Sequence, residues 1–299
     1  MQKPIKILWL ESGDLYTVRR GIEAGTMRGH QVDHLEILDL RFEVTTRGTE
    51  VVGPDGNLTD TYDAVIIRSF MPWVSESLTI ARLFAECGKV VTDAALVDEG
   101  YGMSKIHDYA LLGRAGVAVP RTFQCFDPWE AEEAQRKVGY PCILKGIHGA
   151  EGRHVHKADT PAQFRKRLSQ YKIGELMVQE FLDAEVDYRA ICVGYASLPV
   201  LVRRKPKPGD FRTNFEHQEE VTTVPATDMP EVVRLAETAA RSLRREFSGV
   251  DIRFRGDVPV VLEANRRPGF KAFEETTGFD VAGTFIDYVA KRVRETRGA

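Results

Sequence analysis

The chain has 299 residues, 43% of them hydrophobic, and a net charge of −3. That length allows two or three domains with a substantial buried core, and the near-neutral charge excludes a general attraction to nucleic acid or to an anionic membrane. No run approaches the roughly 18 apolar residues of a membrane span, and the opening segment, broken by Lys6 and followed at once by Glu11, does not read as a signal peptide.

In chain order, residues 5–10 read as a buried strand, 16–28 as a helix ending near Gly29, and 31–38 as a second strand. A turn-forming region at 53–57 precedes a strand at 64–68, a helix at 76–87 that Gly88 stops, and a strand at 89–92. This alternation predicts a parallel α/β layer, and the lack of GxGxxG after the first strand argues against a dinucleotide site there. A helix at 98–115 closes at Gly116, and another at 128–138 ends at Gly139. An apolar strand at 140–145 ends in Lys145, and a glycine-rich loop at 146–154 leads into 155–157, a helix at 161–170 and a strand at 177–182. There is no internal repeat, and breaks fall near residue 97 and residues 180–184. Cys87, Cys125, Cys142 and Cys192 form no CxxC pair, so zinc and a disulfide framework are disfavoured; they read as small buried residues of a reducing, cytoplasmic compartment.

Several positions carry candidate chemistry. Lys145 followed by Gly146, Gly149 and Gly152 suits phosphate, because the lysine supplies charge and the glycines let backbone N–H groups come close. The lysine precedes the glycines, so this is no Walker loop, and a plain surface hairpin loop is the competing reading. His148, His154 and His156 have no carboxylate pattern to complete a metal site and read as solvated. Lys105, in a helix with Tyr101, His107 and Asp108, is by itself an ordinary surface lysine. Asp187 and Arg189 share a strand face, as a paired-charge site or a structural salt bridge. The basic run from Arg203 to Arg212 lacks interleaved aromatics, which weighs against nucleic acid. A loop holding anionic substrate groups, with Arg212 forking onto phosphate or carboxylate, fits better than a solvated loop. Near the end, a short apolar strand with Asp251 and a second with Glu263 and Asn265 on one face flank a turn-rich 255–259. A hairpin there would gather three hard oxygen ligands suited to Mg²⁺; spacing alone leaves a surface hairpin with solvated acids equally open.

Lys105, Lys145 with its glycine loop, Gln179-Glu180-Phe181-Leu182, Asp187-Tyr188-Arg189, Asp251 and Glu263-Ala264-Asn265 stand in the order of an ATP-grasp ligase. The chain resembles the RimK-like branch, the ribosomal-protein glutamate ligases and related α-L-glutamate ligases, from end to end. Leu15-Tyr16, Arg28-Gly29-His30 and Tyr62-Asp63-Ala64-Val65-Ile66 resemble that branch's N-terminal domain. Gly209-Asp210-Phe211-Arg212-Thr213-Asn214 resembles its GDFRxN segment, and Pro268-Gly269-Phe270 with Glu275 to Ala282 its C-terminal signature. The resemblance implies an α/β (α+β) ATP-grasp fold with a parallel N-terminal pre-ATP-grasp domain at 1–97, a central ATP-grasp subdomain at 98–182 and a C-terminal one at 183–299. It implies adenine near Glu180, Phe181 and Leu182, with ATP phosphates near Lys105, Lys145, Gly149 and Gly152. Asp187 and Arg203 would lie at the nucleotide, with Arg212 and Asn214 approaching phosphate or the reacting carboxylate. Asp251, Glu263 and Asn265 would hold two Mg²⁺ ions, Mn²⁺ being the alternative.

The chemistry implied is amide formation through an acyl phosphate, with Lys145, Arg189, Arg212 and Asn214 as the catalytic set. The partners implied are ATP, an amino acid and a carboxylate substrate (peptide, protein tail or small molecule), in a homo-oligomer, dimer or tetramer, that uses neither nucleic acid nor membrane. The alternatives are a small-molecule amino-acid or peptide ligase and a non-catalytic ATP-binding regulatory module. Two departures bear on the substrate. Glu216 to Glu220 stand where the branch carries a basic residue and Gly-Gly, and Arg266-Arg267 where it carries small residues. Both are expected near the acceptor, which points away from the usual pair of glutamate and protein tail; a charge exchange without effect on specificity is the alternative. His154 stands where a second glycine is common.

Overall fold

The strand Lys6–Leu10 is buried on both faces, as a strand inside a covered parallel sheet must be. Its side chains alternate between two cores. Ile7 and Trp9 join one hydrophobic cluster, Leu8 and Leu10 another. In this computed structural model, which describes residues 3–298 except 14, 47, 69–70, 99–103, 148–154, 172–173 and 214–216, the strand is central in a four-stranded parallel sheet. The order is Gln31–Leu35, Lys6–Leu10, Ala64–Ile67, Val90–Thr92. One face packs on the helix Val74–Glu86 through Ile80, Ala81 and Phe84. The other packs on Leu15–Met27 and on the last helix, Val281–Gly298, so the end of the chain closes over its beginning. Trp9 lies edge-on to Phe285 at 6.0 Å. Gly21 makes room for it, since a Cβ there would stand 2.6 Å from the ring.

The second strand is shorter than the pattern suggested. It ends at Leu35, and Ile37–Asp39 is a 3₁₀ turn in which Asp39 accepts the Glu36 N–H at 2.8 Å. The turn-rich region ahead of residue 58 contains a small antiparallel sheet, Arg41–Thr45, Gly48–Gly53 and Gly56–Asn57. Its alternation is weak because only Val51 among its residues is buried. The helix expected from residue 98 begins at Lys105, where Ser104 caps it by accepting the Ile106 N–H.

The central part is a four-stranded antiparallel sheet, ordered Val155–Ala158, Cys142–Gly146, Leu176–Glu180, Thr122–Cys125, with helices Pro128–Val138 and Pro161–Leu168 and a core of its own. Each helix opens on a capping side chain, Asp127 or Thr160, followed by proline. The C-terminal part is a six-stranded sheet running Gln218–Pro225, Val200–Pro206, Asp187–Val193, Phe247–Arg255, Val258–Asn265, with Ala196–Ser197 beside Asp187–Val193. The helix Pro230–Ser242 covers one face. Cys125, Cys142 and Cys192 are buried free thiols, as expected, while Cys87 is exposed. Among the described residues no helix is long and apolar enough to cross a membrane.

Candidate active site

The strands Phe247–Arg255 and Val258–Asn265 form a hairpin whose turn uses Gly256 at φ +57°. The register sets Asp251 opposite Glu263 and Gly249 opposite Asn265. A β-bulge follows, because Ile252 pairs with Val261 and leaves Leu262 outside the ladder. The freed Leu262 carbonyl is satisfied by the Tyr109 hydroxyl at 2.7 Å. Tyr109 in turn accepts from Lys145 Nζ at 2.7 Å and from Gln179 Nε2 at 3.1 Å. One phenol therefore links the helix Lys105–Arg114, the buried lysine of the central sheet and the hairpin.

Antiparallel pairing puts Arg189 opposite Asp251, Asp187 opposite Arg253, and Arg204 opposite Asp187 on the next strand. Arg189 forks onto Asp251 at 2.8 and 2.7 Å. Arg204 bridges Asp187 at 2.7 Å and Asp251 at 2.8 Å. Arg253 lies 3.7 Å from Asp187 and donates to the Phe211 carbonyl, and Thr213 also donates to Asp187. Among the described residues three guanidiniums thus meet two carboxylates on this sheet face, and Asp183 also acts on Arg253. Burial works against the Asp251 carboxylate, but Arg189 and Arg204 overcome it and hold its pKa down at about 2. The Arg253 Nε is buried with no hydrogen-bond partner among the described residues, a donor that an anionic ligand would match.

Lys105 Nζ meets Glu263 Oε1 at 2.9 Å. Burial disfavours its charge, and Glu263 outweighs this and raises its pKa. Asp251 lies opposite Glu263 and accepts from Asn265 Nδ2 at 3.4 Å, so the three stand together, and their side-chain oxygens are a set that fits Mg²⁺ by its chemistry. Here Arg189, Arg204 and Lys105 supply the balancing positive charge.

Other expected site residues are placed as follows. Glu180 pairs with Arg255 of the hairpin, Phe181 packs edge-on against Phe211 at 6.1 Å with Lys157 Nζ 4.5 Å from its ring centre, and Leu182 is buried. Arg212 forks onto its neighbour Asp210 at 3.1 and 3.0 Å rather than standing free, and His217 Nδ1 lies 2.8 Å from the same carboxylate. Arg203 does not join the cluster. It alternates with Arg204 along its strand and lies 3.6 Å from Glu220, so Arg204 is the arginine that meets Asp187 and Asp251. Gly149, Gly152 and Asn214 lie outside the described residues, as do His148 and His154. His156 stacks edge-on with Tyr171 at 6.0 Å. Arg204, Arg253 and Tyr109 were not singled out from the sequence. Tyr109 had a usable signal, since it follows Lys105 by four helical positions and shares its face.

Of the two sequence departures, Glu216 lies outside the described residues, and the acids and arginines that are described make particular contacts. Glu219 lies 3.8 Å from Lys205 and Glu220 3.6 Å from Arg203, across the pair of strands Val200–Pro206 and Gln218–Pro225. Arg266 is buried and meets Asp93 at 3.0 Å, while Arg267 donates to Glu11 at 2.7 Å and to the Ser12 carbonyl at 2.6 Å. Both arginines thus reach from the hairpin into the N-terminal sheet.

Comparison with known proteins matches this arrangement. Residues 103–289 match the RimK-like ATP-grasp domain model and residues 5–96 the RimK PreATP-grasp domain model. A probable alpha-L-glutamate ligase of Cellvibrio japonicus (strain Ueda107) is 29% identical over 293 residues, covering 95% of each chain. The ATP-grasp ligase PsnB, solved with a minimal precursor, Mg and ADP, superposes with a TM-score of 0.74 at 20% identity, covering 96% of this chain and 98% of that one. The macrocyclase MdnC of Microcystis aeruginosa MRC, bound with precursor peptide MdnA, superposes with a TM-score of 0.71 at 15% identity over 96% of this chain and all of that one (100%). The parallel N-terminal sheet followed by two antiparallel sheets is the pre-ATP-grasp and ATP-grasp architecture, and the chain belongs to the RimK-like ATP-grasp family.

Proposed function

We propose that this protein is an ATP-dependent, ADP-forming carboxylate–amine ligase that joins an amino acid to a peptide, a protein C-terminus or a small molecule. The observation that carries this reading is the hairpin that sets Asp251 opposite Glu263 beside Arg189, Arg204 and Arg253. A substrate carboxylate oxygen bonds to the γ-phosphorus of ATP, the bond to the β,γ-bridging oxygen breaks, and ADP leaves. An amine nitrogen then attacks the acyl carbon, loses a proton, and the C–O bond to phosphate breaks to leave an amide. Such transfers need positioning and neutralisation of charge more than a protein nucleophile.

Lys145, buried and aimed by Tyr109, supplies fixed charge toward the phosphates, and Arg189 and Arg204 add charge at Asp251. Arg212 reaches phosphate or the reacting carboxylate by exchanging Asp210 for it, and Asn214 acts alongside. Mg²⁺ held by Asp251, Glu263 and Asn265, as two ions, supplies neutralisation of the triphosphate when bound. The segment Glu180 to Leu182 takes the adenine. Glutamate is the first amino acid to test, because relatives carry the name alpha-L-glutamate ligase. Peptides are the first acceptors, because PsnB and MdnC were solved with precursor peptides. The reading includes a cytoplasmic homo-oligomer with domains at 1–97, 98–182 and 183–299. Cross-strand pairing gives Glu219 and Glu220 structural partners without invoking a substrate.

The test is ADP release with Mg²⁺ and paired acids and amines, with product mass as readout. Glu263→Ala is expected to lower turnover at least 100-fold, the usual effect of removing one charge-stabilising group. Full activity in that variant would overturn the metal assignment. ATP binding with no ADP from any pair would favour a non-catalytic module.

A further inference from the structure

In the N-terminal sheet the chain passes from Lys6–Leu10 to a neighbour on one side, Gln31–Leu35, and then to one on the other, Ala64–Ile67. The crevice beyond the carboxyl ends of the first and third of these strands is therefore a topological switch point, the place where open α/β sheets take ligands. The residues that follow the two strands are Glu11 and Arg68, both buried. Glu11 accepts from Trp9 Nε1 and Thr17 Oγ1 at 2.8 Å and from Arg68 Nε at 3.1 Å. Its other oxygen takes Arg267 Nε at 2.7 Å. One carboxylate thus takes both guanidiniums.

The two arginines that depart from the branch pattern are not equivalent. The Arg266 side chain is 9% exposed and spent on Asp93. The Arg267 side chain is 39% exposed. Its Nε and Nη2 are held by Glu11 and by the Ser12 carbonyl, and its Nη1 has no hydrogen-bond partner among the described residues. A guanidinium fixed along one edge and open along another is a preorganised anion receptor. It stands two residues beyond Asn265, hence within about 7 Å along the chain of the strand end that carries the proposed metal ligands.

We propose that Arg267, oriented by Glu11, is a substrate-binding residue that holds a second carboxylate, one not activated by ATP, on an acid-bearing amine substrate such as an α-amino acid. The substrate class is then an amine with a carboxylate of its own, and plain amines are rejected because they leave the open edge of Arg267 unmatched. This assignment rests on the ligase reading for its role in turnover, and on the Glu11 geometry for binding.

Two readouts separate the assignment from the ligase reading. In the first, the melting temperature of the full chain is followed with glutarate, a dicarboxylate, and with butyrate, a monocarboxylate. Wild type is expected to be stabilised at an at least tenfold lower concentration of glutarate than of butyrate. Arg267→Ser, and Arg267→Lys as a better-folded control that keeps the charge and a donor to Glu11, are expected to lose that preference. In the second, ADP release is measured with α-amino acids against their decarboxylated amines. Arg267→Lys is expected to raise the KM for the amino acid about 10- to 100-fold, the scale of one charged hydrogen bond, while the KM for ATP and kcat stay within about twofold. Equal response of wild type to glutarate and butyrate overturns the carboxylate site. So does an amino-acid KM in Arg267→Lys within twofold of wild type. If KM values for ATP and amino acid rise together as stability falls, Arg267 is a structural latch and the proposal fails. A glutarate preference that depends on Arg267, with no ADP from any pair, upholds the site and removes the ligase reading.

Discussion

Asp251→Asn is expected to destabilise the chain by about 3–5 kcal/mol and to reduce ADP release at least 100-fold. The substitution keeps the shape of the side chain and removes its charge. Asp251 takes both prongs of Arg189 and one from Arg204, so its loss orphans Arg189 among the described residues and leaves Arg204 with Asp187. Breaking a buried ion pair from one side costs far more than the pair contributes, because the orphaned charge stays buried. Urea unfolding at neutral pH measures the first effect. A change below about 1 kcal/mol would mean that Arg189 and Arg204 regain solvent when Asp251 is lost. In the nucleotide-free and metal-free protein the same carboxylate also sets a pH dependence. Its pKa is about 2 in the folded chain against an ordinary 3.8, so its contribution is complete above about pH 4 and is lost as the pH falls through about 2. That contribution is on the order of 2 kcal/mol, and the asparagine variant should lose stability less steeply across this window.

Trp9→Ala is expected to cost about 3–5 kcal/mol and to loosen both ends of the chain together. Trp9 is fully buried between the first sheet and the last helix, where it meets Phe285, and its Nε1 is one of the donors to Glu11. One hydrophobic cluster runs from Ile5, Ile7 and Trp9 through Phe247 and Phe270 to Phe285 and Val289. Ion pairs reinforce it: Arg20 with Glu274, Arg28 with Asp280, and Arg292 with Glu246. The central sheet has a separate core. Hydrogen exchange in Trp9→Ala should therefore speed up in Lys6–Leu10 and in Val281–Gly298 together, with little change in Cys142–Gly146. Unchanged protection in the last helix would show that the two ends unfold independently.

Much of the fold was legible in local pattern. The buried strands at both ends of the first layer, the glycine stops at Gly88, Gly116 and Gly139, and the acidic hairpin all follow from periodicity and turn chemistry within a few residues. Errors came where local signals were weak or competing. Arg41–Thr45, Gly48–Gly53 and Gly56–Asn57 form a sheet with little burial to imprint alternation on the sequence. The helix expected from residue 98 starts instead at the Ser104 cap. For the site, the order of lysines and acids was readable and pointed to an ATP-grasp ligase, and the family models agree.

The partners of the charged side chains were not readable. Arg203 and Arg204 are indistinguishable as neighbours in a basic run; strand register turns one toward Glu220 and the other toward Asp187 and Asp251. Arg266 and Arg267 likewise look like one basic pair, yet packing buries the first on Asp93 and leaves an edge of the second open beside Glu11. Periodicity and turn residues act over a few positions and can be read from a linear string. A charge, by contrast, takes its role from whichever strand is brought beside it. That choice depends on contacts between Glu11 and Arg267, 256 positions apart, or Asp93 and Arg266, 173 positions apart.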